Sequence, residues 1–357
     1  MTRILRFLLL VPLALAFAPA AQAATPRDFV GMTSEDVFAG DAAYRASTLS
    51  TQRGVGVGLL RQTFDWSLIE TARGQYDFAR YDSYVLATAS ARIRILPILF
   101  NAPRFRAPRR SGTTCPPSSN ASMAAFARAM VRRYGPRGTL WRENPGVPKT
   151  PIVSYQIWNE PLLRQYWCNK PNAKQYAAML KTVGGAIKRA QGGAEIVTAG
   201  LPPSKLSGAI ALRKYIRQLY SAGGRRAFDT LAINSYAQGS AQLGRLLDAV
   251  RALMNERGDR RAKIWITELG WGDRGPRNRF IVGAKGQASR ISQSLALVDK
   301  RKSRYKLRGV VYFSWRDGRP YAPSFKDLWG LHTGLLRLDG SPKPAFNAFR
   351  RAARMLR

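Results

Sequence analysis

Eight short apolar runs punctuate the chain: FVGM (29 to 32), VGVGLLRQ (55 to 62), IRILPILF (93 to 100), IVSYQIW (152 to 158), EIVTAGL (195 to 201), FDTLAINSY (228 to 236), KIWITELGW (263 to 271) and VVYFSW (310 to 315). They are rich in β-branched and aromatic residues and apolar almost throughout, the pattern of parallel strands buried on both faces. Between them, apolar positions recur at i, i+3, i+4 and i+7 with arginines opposite, in 123–134, 173–190, 209–220, 241–256 and 289–303. Eight strands alternating with about eight helices predict an α/β fold, a (β/α)8 TIM barrel in one domain. A doubly wound sheet would place a Gly-rich phosphate turn between its first strand and helix. Here GVGVG (54 to 58) lies before or within a strand.

The ends set the domain organisation. Arg3 and Arg6, the stretch FLLLVPLALAF and then Ala21-Gln22-Ala23 follow the charged, apolar and small-residue order of a secretory signal peptide. Residues 1–23 are read as that peptide, cleaved after Ala23, and residues 24–357 as the barrel domain, secreted to the extracellular side. The apolar run is too short to span a bilayer and no later stretch approaches that length.

Composition narrows the partners. With 58 Lys and Arg against 21 Asp and Glu, the net charge is +37. Such a chain is drawn to anions: an acidic glycan, an anionic cell envelope, or nucleic acid. No run of five or six bases and no nucleic-acid motif is present, so specific nucleic-acid recognition is not expected. Dispersed arginines on solvated helix faces are the plainer reading of the charge. Cys115 and Cys168 are too few for a metal cluster and stand without a CxxC spacing, so in an exported protein they read as a disulfide. His332 is the only histidine and lies among turn residues, which leaves no Ser-His-Asp triad and no zinc site. No metal and no cofactor are expected.

In a parallel barrel, chemistry sits at the C-terminal ends of strands. Three apolar runs close on polar groups there: the fourth with Asn159 and Glu160, the sixth with Asn234 and Tyr236, the seventh with Glu268. Two carboxyl groups facing one mouth suit glycoside hydrolysis, one protonating the leaving oxygen and the other attacking the anomeric carbon or activating water. A cation site is the alternative, but no Asp or His joins them at ligand spacing.

The motifs NEP (159 to 161), TELGW (267 to 271) and YFSW (312 to 315), in this order, resemble the clan A glycoside hydrolases, closest in character to family 39 with family 5 as neighbour. RQTFDWSLIETARGQYDFARYDSYV (61 to 85) is similar to their second-strand segment, and LLRLDGSPKPAFNAFR (335 to 350) to their closing helix. The resemblance implies a retaining enzyme. Glu160 would be the acid/base and Glu268 the nucleophile, with carboxyls about 5 to 5.5 Å apart. Asn159 would bind the sugar 2-hydroxyl, Arg61 keep the nucleophile ionised, Tyr236 hydrogen-bond it, and Trp315 form the floor under the sugar ring. Many clan A members carry a histidine where this chain has Asn234, an amide that cannot titrate near neutrality.

Trp66 and Trp158 are read as packing; Trp167 and Trp271, in mouth loops, are left between packing and sugar stacking. The expected function is hydrolysis of a β-linked polysaccharide or oligosaccharide, neutral or acidic. The alternative is a non-catalytic barrel that holds an anionic glycan at the cell surface, or attaches electrostatically to the envelope. In the barrel, Cys115 and Cys168 fall in adjacent loops beside Glu160. Because adjacent strand residues point to opposite faces, the strand must bulge or twist for Asn159 and Glu160 to reach one sugar.

Overall fold

The computed structural model of the protein describes residues 25–109, 112–168, 170–320 and 326–356; the signal-peptide reading lies outside them. Eight parallel strands close into a barrel: β1 (Val30–Thr33), β2 (Leu59–Asp65), β3 (Arg94–Phe100), β4 (Ser154–Ile157), β5 (Glu195–Val197), β6 (Thr230–Asn234), β7 (Lys263–Leu269) and β8 (Leu307–Phe313). Each pairs with the next, and β8 closes on β1 through Val30 opposite Val310 and Thr33 opposite Phe313. This is the (β/α)8 barrel that the alternation of apolar runs predicts.

The pleat divides the apolar residues into two cores. Leu59, Leu96, Val197, Ala232, Trp265 and Val311 fill the barrel itself. Their strand neighbours, such as Leu60, Ile264 and Ile266, face the helices in the larger outer core. Trp265 fits because Gly309 lies beside it: a Cβ there would approach the indole nitrogen to 2.9 Å. Beneath Trp265, the Arg308 guanidinium lies 4.5 Å from the ring and pairs with Asp28 at 2.9 Å and Glu195 at 3.1 Å, closing the N-terminal end.

Helices Asn120–Tyr134, Ala173–Ala190, Leu212–Ser221 and Ser240–Glu256 lie within a few residues of the periodic segments, while Gly283–Tyr305 begins earlier. Helix Ala42–Gly54 escapes a periodicity search because three of its four buried residues, Arg45, Thr48 and Gln52, are polar. The second apolar run starts too early: residues 55–58 form the turn into β2, where Gly56 has φ +109° and packs on Ala353.

Cys115 and Cys168 form a disulfide, with Cα atoms 4.8 Å apart, joining the loop after β3 to the loop after β4. The bond closes a segment with sequence separation 53. In the chain-entropy account such closure contributes about 4 kcal/mol. Replacing both cysteines by serine should lower unfolding stability by about that amount in urea titrations. Unchanged midpoints would show that the tether carries no stability.

Candidate active site

The end of β4 departs from a regular strand. Trp158 has φ +70° and Glu160 φ +41°, left-handed conformations on either side of Asn159. For residues with a Cβ, such conformations cost about 1–3 kcal/mol each and persist only when packing enforces them. Trp158 supplies that packing: it is fully buried, meets Phe100 edge-on at 4.8 Å, and donates its indole N–H to the Tyr166 carbonyl at 2.9 Å. The twist breaks the up-and-down alternation. Consequently the Asn159 Oδ1 accepts from Arg61 at 3.2 Å, while the adjacent Glu160 Oε1 accepts from Asn234 at 2.7 Å.

Glu268 is aimed by a bulge in β7. Ile266 pairs with Ile233 on one side and Val310 on the other, but the next partners are Asn234 with Glu268 and Tyr312 with Leu269. One extra residue is thereby fitted into β7 at Thr267–Glu268. Both Glu268 oxygens are engaged: Oε1 by the Arg61 guanidinium at 2.8 Å, Oε2 by the Tyr236 hydroxyl. Arg61 is itself buried, and its Nε donates to Gln156 Oε1 at 2.8 Å. One guanidinium therefore spans Glu268, Asn159 and Gln156, fixing three strand ends relative to one another.

The two carboxyls differ in environment. Burial, reinforced by the charge of Glu268, pushes Glu160 up to about 8, against the opposing pull of the Asn234 amide and Arg61. Burial likewise holds the Tyr236 phenol well above its ordinary value, so it remains a hydrogen-bond donor. Asn234 is fixed in turn: its Oδ1 accepts from Thr267 Oγ1 at 2.9 Å, which turns the amide NH2 towards Glu160. Gly200 leaves the room, since a Cβ there would fall 2.0 Å from Asn234 Oδ1.

Arg61, Asn159, Glu160, Asn234, Tyr236 and Glu268 thus form one connected network. Trp315 does not join its surface. The chain leaves the ladder after Phe313, and Trp315 turns inward, 1% exposed, with its ring 5.8 Å from Phe346 of the closing helix Pro344–Met355. The half-buried Phe313 instead borders a cavity of about 360 Å³ together with Glu35, Arg316 and Arg319. Trp167 and Trp271 are buried, their indole N–H groups held by Gln175 and Ala237, which decides both for packing. Trp66 is packing as expected, stacked on Phe126.

Sequence reading missed Gln156, Thr267, Gly200 and Glu35. Gln156 and Thr267 carried a signal, a polar residue inside an otherwise apolar strand. Glu35 follows β1, accepts from Gln62 Nε2 at 3.1 Å and opens to the cleft, where crowding by protein and the adjacent Asp36 raise its carboxyl pKa. Trp329, half-buried and edge-on to Tyr236 at 5.0 Å, is an aromatic ring next to the network. Among the described residues, no three His, Cys, Asp or Glu side chains gather where a metal ion could be held.

A raised carboxyl couples stability to pH. Between pH 4.5 and about 8 the folded chain keeps a proton on Glu160 that the unfolded chain releases, so stability falls as pH rises through that window. The Glu160→Gln variant lacks this loss. Its melting temperature should rise relative to the parent between pH 5 and 8 and match it more closely below, as read by thermal scans. A pH-independent difference would contradict the raised value.

No protein-family model matches the sequence, and no curated protein matches it. Solved structures do resemble it. A family 39 glycoside hydrolase from the gut symbiont Bacteroides cellulosilyticus WH2 aligns with TM-score 0.64 at 19% identity, covering 93% of this chain and 64% of the other. A GH39 beta-xylosidase from Caulobacter crescentus gives 0.66 at 17% identity, over 93% and 72%. GH5_18 from Streptomyces cattleya, in complex with GlcNAc, gives 0.65 at 14%, over 94% and 81%. This chain spans somewhat less than two thirds of the first of these proteins. The fold is that of the clan A glycoside hydrolases. Within that clan, the structural likeness runs to family 39 with family 5 as neighbour, as the NEP, TELGW and YFSW motifs indicate.

Proposed function

We propose that the protein is an exported retaining glycoside hydrolase acting on a β-linked glycan. The observation that carries this reading is the unequal treatment of two carboxyls at one mouth: Glu268 compensated by Arg61 and the Tyr236 hydroxyl, Glu160 buried and raised to about 8. In the first step Glu268 attacks the anomeric carbon while Glu160 passes its proton to the departing glycosidic oxygen. In the second, the Glu160 carboxylate takes a proton from water as the water oxygen bonds to the anomeric carbon and Glu268 leaves. With its Oδ1 engaged by Arg61, Asn159 has its amide NH2 to offer to the sugar 2-hydroxyl.

The disulfide is compatible with export. Around the mouth, Arg104, Arg109, Arg164, Arg277, Arg279 and Arg319 lie exposed on loops that follow strands, which favours a glycan bearing carboxylate or sulfate groups.

A panel of 2-deoxy-2-fluoro β-glycosides with activated leaving groups tests the mechanism. One member should stop turnover and leave a single glycosyl group on the peptide containing Glu268, as read by mass spectrometry. Labelling of another residue, or turnover with inversion, would refute the retaining assignment. No turnover of any neutral or acidic glycan would leave the carbohydrate-binding reading in its place.

A further inference from the structure

The N-terminal end of the barrel, opposite the glutamates, carries two adjoining cavities of about 890 and 740 Å³ that share Glu195 and Lys263 as walls. Thirteen of their 29 lining residues are Arg or Lys, against 58 in 357 for the whole chain. The four acids among the lining residues are already engaged. Arg308 holds Asp28 and Glu195 from inside the barrel floor, Lys188 holds Asp229 at 2.8 Å, and Tyr220 donates to Asp259 at 2.7 Å. Outside them, Arg27, Arg92, Arg225, Arg226, Arg260 and Arg261 are exposed and enter no ion pair among the described residues.

We infer that these two cavities form a second binding trough, for a strand of acidic polysaccharide, separate from the catalytic mouth. The inference rests on the glycan-acting reading above and deepens it: the trough would hold another stretch of the polymer that the mouth cleaves. Its shape favours a chain over a membrane, since two concave cavities in line fit an extended polymer and a bilayer is flat. Its chemistry is charge without stacking. The aromatic rings lining it, Phe29 and Phe228, are buried, so contacts go to carboxylates or sulfates and not to sugar faces. Strands of up to seven residues separate trough from mouth, about 20 Å, so that one bound chain must bend round the barrel or two chains must bind. Retention on polymer should therefore depend on the trough, and turnover of a small aryl glycoside should not.

The test uses the full mature chain carrying Glu268→Gln, so that polymer is not cut, and compares two fourfold charge reversals. The trough set is Arg225→Glu, Arg226→Glu, Arg260→Glu and Arg261→Glu. The control set reverses Lys174, Arg213, Lys214 and Arg245, all exposed on helices away from the trough, for the same change in net charge. Melting temperatures report folding, and the four trough residues changed to Gln serve if the Glu set does not fold. At low ionic strength, where charges act beyond about 10 Å, the trough set should weaken binding of polymannuronate, an acidic β-1,4-linked polymer, about tenfold or more. The control set should change it much less, and neither set should change the binding of uncharged β-1,4-mannan. Equal losses in both sets would overturn the trough, leaving only diffuse net charge. Tighter binding of duplex DNA or phosphatidylglycerol vesicles, lost with the trough set, would also overturn it by assigning the face to another polyanion. Turnover is measured separately on the chain with Glu268 intact, so failure of the glycosidase reading shows there and failure of the trough shows in binding.

Discussion

Replacing Glu268 by alanine should lower kcat/KM on every glycoside by about 10⁵-fold or more, the scale on which a lost nucleophile acts. Among the described residues of the network, no other group stands ready to substitute. The Tyr236 phenol, held by burial well above its ordinary pKa, stays protonated, and Asn159 and Gln156 are amides occupied by Arg61. The substitution also removes the carboxylate that ion-pairs with the buried Arg61 and leaves its guanidinium bonded to two amide acceptors, an arrangement that is strongly destabilising. Glu268→Gln keeps an acceptor in place and should melt higher than Glu268→Ala while remaining as inactive, which separates loss of chemistry from loss of fold. Azide entering the space left in Glu268→Ala should attack the anomeric carbon from the nucleophile's side and give glycosyl azide of inverted configuration. Full activity in either variant would remove the glycosidase reading.

The barrel was legible in the sequence because a parallel strand buried on both faces has to be apolar nearly throughout, and eight such runs can be seen against arginine-rich helices. The two glutamates were legible for the converse reason: a carboxyl closing an apolar strand has no packing explanation. What the pattern does not carry is direction. Nothing in SYQIWNEP states that Trp158 and Glu160 adopt left-handed backbone, since the enforcing contacts, Phe100 and the Tyr166 carbonyl, come from β3 and from a loop. The bulge at Thr267 is likewise a property of β7 against both of its neighbours. Trp315 failed as a sugar platform for the same reason. Motif position places it at the mouth, yet the chain turns after Phe313 and the closing helix covers the ring. Asn234 was legible as a departure, but not its consequence: Thr267 and Gly200, from two other segments, make it a fixed donor to Glu160.

Glu160→Ala should separate the two chemical steps. Glycosides with activated leaving groups need little protonation, so their first step should persist, whereas those with poor leaving groups should lose about 10²- to 10⁴-fold, the contribution of a general acid. The second step should slow for all of them, because no carboxylate remains to take the proton from water, and the glycosyl-enzyme on Glu268 should accumulate. Azide needs no general base and should relieve that block, giving glycosyl azide of retained configuration. Rescue with inversion here, and with retention at Glu268, would mean that the two roles are exchanged. The pH profile supplies an independent reading. With Glu160 raised to about 8, kcat/KM of the parent should fall above that pH as the acid loses its proton, and Glu160→Ala should lack this limb. The Asn234 amide favours the ionised form of Glu160, so Asn234→Ala should move the limb to higher pH. A shift to lower pH would show that the amide serves the protonated acid instead, and would reverse the part assigned to the residue that stands where many clan A members carry histidine.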